Sequence, residues 1–154
     1  MKESDRLVRA DLRIGGRRRT FTLRLPNRAT GTGEIPLVLA LHGRGGTGQM
    51  MRHMTGFDSK ADHWSMAVAY PDGYRRNWAD GRNGDDVGAD AERDVDFLRA
   101  VIDWSAQRHG TMIRRSWSVC RLVGSWDTTQ NIDATDEICK FALPRLTPAS
   151  KRQL

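Results

Sequence analysis

The chain has 154 residues, of which 38% are apolar, 7% aromatic and 29% charged, and its formal net charge is +6. This is room for one domain and one core, too apolar for wholesale disorder, and no stretch approaches the ~18 apolar residues of a membrane span. Cys120 and Cys139 make no disulfide framework, no Cys/His cluster has zinc spacing, and Met1 to Arg6 lacks the apolar segment of a secretory signal.

In chain order, Leu7 to Ile14 alternates in part, Gly15-Gly16 signals a turn, and Arg19 to Leu25 alternates again until Pro26. The pair predicts an antiparallel hairpin with one wet face, and Arg17-Arg18-Arg19 is expected on that solvated face rather than on phosphates. Ile35 to Leu41 is a continuous apolar run that fits a strand buried on both faces. It breaks at His42-Gly43-Arg44-Gly45-Gly46-Thr47-Gly48, too glycine-rich for strand or helix. Gln49 to Trp64 predicts one helix with Phe57, Ala61 and Trp64 inward, and Met50, Met51 and Met54 as core fillers. Met66 to Tyr70 predicts a second buried strand, ended by Pro71-Asp72-Gly73. Asp90 to His109 predicts a helix with Val95, Leu98, Val101, Ile102 and Ser105 on its apolar face, Asp90 as N-cap and Gly110 at C′. Hairpin, then strand, helix, strand, helix is the order of an α/β fold with parallel strands.

The charge follows these elements. Residues 1–28 hold nine Lys/Arg against three Asp/Glu, residues 29–110 nine against twelve, and the remainder seven against four. The glycine-rich loop thus lies in a mildly acidic stretch, which argues against a nucleic-acid footprint.

That loop is the feature that carries chemistry. Gly43, Gly45 and Gly46 remove Cβ groups, so backbone N–H groups can point into a cavity at the carboxyl end of a strand, where α/β sheets bind ligands. Aimed at one point they would stabilise the oxyanion of acyl transfer. A bland βα turn fits the same residues, and a Walker loop does not, because Gly-Lys-Ser/Thr is missing.

From about Gly15 to Gly110 the chain resembles the polyhydroxybutyrate depolymerase and feruloyl esterase branch of the α/β-hydrolase superfamily. The matching stretches are Gly16-Arg17-Arg18-Arg19-Thr20, Pro36 to Gly43, Thr55-Gly56-Phe57-Asp58 with Ala61-Asp62, Ala69-Tyr70-Pro71-Asp72-Gly73, Asn77-Trp78, Asp94 to Leu98 with Ile102-Asp103, and Arg108-His109-Gly110. The resemblance implies the N-terminal half of an α/β-hydrolase fold with an incomplete sheet, and a serine-type carboxylic ester hydrolase acting on polyester or aromatic acyl esters without a cofactor. It assigns the backbone N–H groups of Gly43 and Arg44 to an oxyanion hole and His42 to bracing the loop. Trp78 is read either as lining a substrate cleft or as an anchor for its loop.

After Gly110 the resemblance ends. The family continues with a strand and a Gly-x-Ser-x-Gly turn bearing the nucleophile; no such pattern occurs in the 154 residues, and the last histidine, His109, precedes every late serine. Gly124-Ser125 is the nearest approach, but Trp126-Asp127 follows. The expected organisation is a partial hydrolase domain over 1–110 and an aberrant or disordered tail over 111–154, with a reading-frame shift near Thr111 as the hypothesis. An alternative frame downstream of codon 110 without Gly-x-Ser-x-Gly would refute it. The expected chain is an inactive esterase relative with an exposed strand edge that favours aggregation. The rival is a non-catalytic binding or regulatory half-domain, which predicts a monodisperse, cooperatively melting protein.

His53, His63 and the acidic group Asp85, Asp86, Asp90, Glu92, Asp94 and Asp96 read as solvated residues rather than metal ligands, so no metal is expected. Relatives of this kind are commonly exported, which leaves localisation open.

Overall fold

In a computed structural model of the chain, the residues described are 6–27, 35–79 and 91–112. They form strands β1 (Leu7–Ile14), β2 (Arg17–Arg24) and β3 (Ile35–Leu39), helices α1 (Gly48–Thr55) and α2 (Phe57–His63), strand β4 (Ala67–Pro71), helix α3 (Ala91–His109) and strand β5 (Thr111–Met112). The sheet order is β1-β2-β4-β3-β5. β1 and β2 are an antiparallel hairpin from Leu7↔Arg24 to Ile14↔Arg17, and β2 runs antiparallel to β4. β3 is parallel both to β4 (Val38↔Val68) and to β5 (Ile35↔Thr111). The expected α/β class, a hairpin followed by parallel strands and helices, is the one observed.

Both faces of the parallel strands are covered, as their unbroken apolar sequences require. Successive β4 side chains point to opposite faces. Met66, Val68 and Tyr70 pack with Met51 of α1 and Phe57 and Ala61 of α2. Ala67 and Ala69 join Phe21, Leu23 and Leu37 under Phe97 and Val101 of α3. The chain leaves β3 toward one face and β4 toward the other. The carboxyl ends of these adjacent strands therefore flank a topological switch point, the crevice where open α/β sheets receive ligands.

Four local expectations are corrected. The predicted helix over 49–64 is two helices, because Gly56 adopts φ +60° and ends α1 as its left-handed cap before α2 begins. Arg19 is not on the solvated face: only 4% of it is exposed, and it pairs with Asp94 at 2.8 Å. Asp94, expected among solvated acids, is buried with it on the inner line Asp94, Phe97, Val101, Ser105 of α3. Val101 and Ser105 are buried as expected, while in the first turns Asp94 and Phe97 take the place of the expected Val95 and Leu98, and Val95 is exposed. Of Met50, Met51 and Met54, expected as core fillers, Met51 is buried and Met50 and Met54 are exposed. The expected N-cap Asp90 and the 111–154 tail beyond Met112 lie outside the described residues.

Two further polar groups are fixed inside. The Arg24 guanidinium, buried on the α2 side, meets Asp62 at 2.8 Å. The Tyr70 hydroxyl donates to Asp58 Oδ1 at 2.9 Å, and burial, reinforced by the Asp58 charge, pushes the phenol far above its ordinary pKa.

At the end of α3, His109 packs against Trp104 with ring centroids 5.5 Å apart, and its Nε2 is buried without a partner among the described residues. Burial first, and the Arg108 charge second, pull its pKa below the ordinary 6.5. With a lowered folded pKa, the unfolded chain takes up the proton first as pH falls, so this histidine costs stability below about pH 6.5 and nothing well above it. Urea midpoints measured at pH 7.5 and pH 5 are expected to fall more in the native chain than in His109→Gln. Equal falls would place the acid sensitivity elsewhere.

Candidate active site

The segment between β3 and α1 is held by a ring of hydrogen bonds centred on His42. Beyond β3 the parallel ladder continues for one residue, Ala40 N–H donating to Ala69 O at 2.9 Å, and His42 follows with 4% of its surface exposed. Its Nε2 accepts the Gly73 N–H at 2.9 Å, and its Nδ1 lies 2.7 Å from Gly43 O. An acceptor at Nε2 and a donor at Nδ1 is one defined tautomer. Both nitrogens are therefore spent on the protein's own backbone, the Nε2 lone pair on Gly73 N–H and the Nδ1 proton on Gly43 O.

The turn that follows is closed by Gly46 N–H to Gly43 O at 3.0 Å, with Gly45 at φ +74°. Glycine is the residue that adopts this left-handed position at no steric cost. Gly45 N–H donates to Arg76 O at 2.8 Å. The Gly43 N–H takes part in none of these bonds. Arg44 is exposed at the tip of the turn. Thr47 then caps α1, its hydroxyl accepting from Met50 N at 3.2 Å.

Facing this loop across the switch point is the segment after β4. Asp72 spreads its carboxylate between Gly48 N–H and the Thr20 hydroxyl, both at 2.8 Å, and so ties α1 to β2. Tyr74 to Asn77 is a tight turn with Arg75 at φ +49° and Arg76 at φ +65°. Two adjacent positive φ values fit a hairpin turn of the I′ kind that usually takes Asn-Gly. Here arginines occupy it, and their contacts hold it: Arg76 gives its carbonyl to Gly45 and its Nε to Gly46 O at 3.4 Å, while the Arg75 guanidinium lies over the Tyr74 ring. Trp78 is half-buried in the α3-side core, donates Nε1–H to His42 O at 2.9 Å and lies 5.3 Å from the His42 ring.

Gly43, Arg44, His42 and Trp78 are thus brought together at the carboxyl end of β3. Sequence reasoning missed Asp72, Gly73, Arg19 and Asp94, which hold them there. In the sequence Asp72-Gly73 marks the end of a strand and part of a matching stretch, with nothing to name its partners. For Arg19 the signal was available, since Arg19, Phe21 and Leu23 share one parity and therefore one face of the strand. His53 and His63 are exposed, and no cluster of three metal-ligating side chains occurs among the described residues.

No protein-family model matches the chain. It is similar to NocK of Nocardia uniformis subsp. tsuyamanensis, a protein bearing a provisional esterase assignment, at 36% identity over 91 residues. That match covers 58% of this chain and 26% of NocK, so the chain spans about a quarter of the curated relative. Among solved structures it is similar to the S-formylglutathione hydrolase FrmB of Staphylococcus aureus, at 19% identity and a TM-score of 0.49. The fluorophosphonate-binding serine hydrolase FphF of the same organism gives 19% and 0.47. Each comparison covers 69% of this chain and 42% of the solved one. Among the described residues no helix is long and apolar enough to cross a membrane.

Proposed function

We propose that this chain carries the oxyanion-loop half of an ester-hydrolysing site of the α/β-hydrolase kind. In this reading the N–H groups of Gly43 and Arg44 are the donors, His42 braces the turn and Trp78 anchors it. The observation that carries the reading is the glycine turn itself, set at the carboxyl end of parallel strand β3 and running into the first helix, beside the switch point. In α/β-hydrolases the loop between β3 and the following helix supplies its share of the oxyanion donors, in this reading Gly43 and Arg44, and the residue after the nucleophile supplies a further one. Each such donor is worth about 2.7–4 kcal/mol to the transition state. The 91-residue similarity to NocK supports an ester as substrate. Polyester and aromatic acyl esters are the finer classes we propose, from the sequence motifs around Gly43, Asp72-Gly73 and Asn77-Trp78.

The sequence holds no Gly-x-Ser-x-Gly. The 154 residues are therefore proposed to bind an oxyanion without forming an acyl-enzyme. A fluorophosphonate probe is expected to leave the chain unlabelled, with no turnover of p-nitrophenyl acetate above background. Titration with phenylphosphonate, a stable oxyanion, is expected to move the Gly43 amide resonance. A labelled serine would overturn the proposed inactivity. A Gly43 amide that stays still while other resonances respond would overturn the oxyanion reading.

A further inference from the structure

His42 is held only in part by its own loop, through Nδ1 and Gly43 O. Its two outside contacts, Gly73 N–H on Nε2 and Trp78 Nε1–H on the carbonyl, both come from the segment after β4. Beside the bonds of Asp72 to Thr20 and Gly48 and of Arg76 to Gly45 and Gly46, that segment is anchored at two further points, each one residue outside Gly73 and Trp78. At its start, Asp72 O accepts Arg19 Nη2–H at 3.3 Å. At its end, Ala79 N–H donates to Asp94 Oδ2 at 2.8 Å. The two anchors are one ion pair, because Arg19 Nη1 meets the other Asp94 oxygen, Oδ1, at 2.8 Å. The guanidinium also lies 4.3 Å over the Phe97 ring and 5.7 Å from the Trp78 ring.

We propose that Arg19 and Asp94 are positioning residues for the Gly43 loop: one buried ion pair grips the 72–79 segment at both ends, and that segment fixes His42 and, through it, the direction of the Gly43 N–H. The inference rests on the oxyanion reading only for its catalytic consequence; the clamp itself is a matter of geometry. A pair kept for stability alone would need no bonds to that segment. Apolar residues of similar volume often replace a buried ion pair with no loss, or with a gain, in stability. Here the two hydrogen bonds that the pair makes beyond its own contact go to the backbone that frames His42, and Arg19 Nε has no partner among the described residues.

The test is made on the full chain, labelled with nitrogen-15, with the Trp78 indole resonance assigned by its loss in Trp78→Phe. In the double variant Arg19→Met/Asp94→Leu the melting temperature is expected to stay near the native one. Exchange of the Trp78 indole N–H and the Gly45 amide with solvent is expected to accelerate about tenfold or more, as local opening loses its restraint. Native exchange rates in a folded double variant would overturn the clamp. Should the double variant not fold, Asp94→Asn keeps an acceptor for Ala79 while weakening the hold on Arg19. It is expected to accelerate the same two protons by a smaller factor, and unchanged rates there would equally overturn the proposal. Phenylphosphonate titration separates the two readings. Faster exchange with no Gly43 response in the native chain retains the clamp and removes the oxyanion site, and the converse pattern removes the clamp alone.

Discussion

Adding one methyl group at Gly48 is expected to destabilise the protein by about 3 kcal/mol or more, although alanine is the better helix former by about 1 kcal/mol. A Cβ on Gly48 would sit 2.4 Å from Tyr70 O and 2.9 Å from Tyr70 C. These are backbone atoms of β4, the strand flanked by β2 and β3, so no flexible side chain can move aside. Nor can α1 back away without loss, because the Gly48 N–H is bonded to Asp72 beyond the end of the same strand. Tyr70 is equally constrained, being 1% exposed with its hydroxyl held by Asp58. The comparison is Gly56→Ala, where nothing lies within 4 Å of the added carbon and the cost is the left-handed φ alone, about 1–2 kcal/mol. Urea denaturation of the two variants beside the native chain decides it. A Gly48→Ala loss no larger than that of Gly56→Ala would mean that α1 does not dock this closely.

Where apolar period and strand length spoke together, the sequence was readable. β1 and β2 alternate and form the expected hairpin, and the unbroken apolar runs at 35–41 and 66–70 became the parallel strands β3 and β4. The break between α1 and α2 was harder, because Gly56 lies inside a helix-compatible run and only its backbone angle distinguishes a tolerated glycine from a cap. In α3 the expected Val101 and Ser105 are inside, but the first turns were misread for a chemical reason: apolar spacing discards Asp94, a carboxylate that is buried against a cation from β2.

The site divides in the same way. Gly43, Gly45 and Gly46 were visible because glycine content marks a turn directly. The residues that hold the turn were not, because their partners are distant in sequence: Arg19 and Asp94 are separated by 75 positions, His42 and Gly73 by 31. Periodicity places each on a face, yet only the β2-β4-β3 order brings those faces to one crevice.

Asp94→Ala is expected to cost about 3–5 kcal/mol, and Arg19→Met distinctly less, although both break the same 2.8 Å pair. The asymmetry follows from what each change leaves behind. Without Asp94, a guanidinium that is 4% exposed retains Asp72 O at 3.3 Å and the Phe97 and Trp78 rings, its Nε has no partner among the described residues, and a guanidinium stays charged in proteins. The Ala79 N–H loses its acceptor at the same time. Without Arg19, the carboxylate of Asp94 still accepts from Ala79, and a methionine fills much of the space over Phe97. Thermal or urea unfolding of the two single variants measures the difference. An Asp94→Ala loss equal to or below that of Arg19→Met would show that the guanidinium finds water in the folded state, contrary to its burial between β2 and α3.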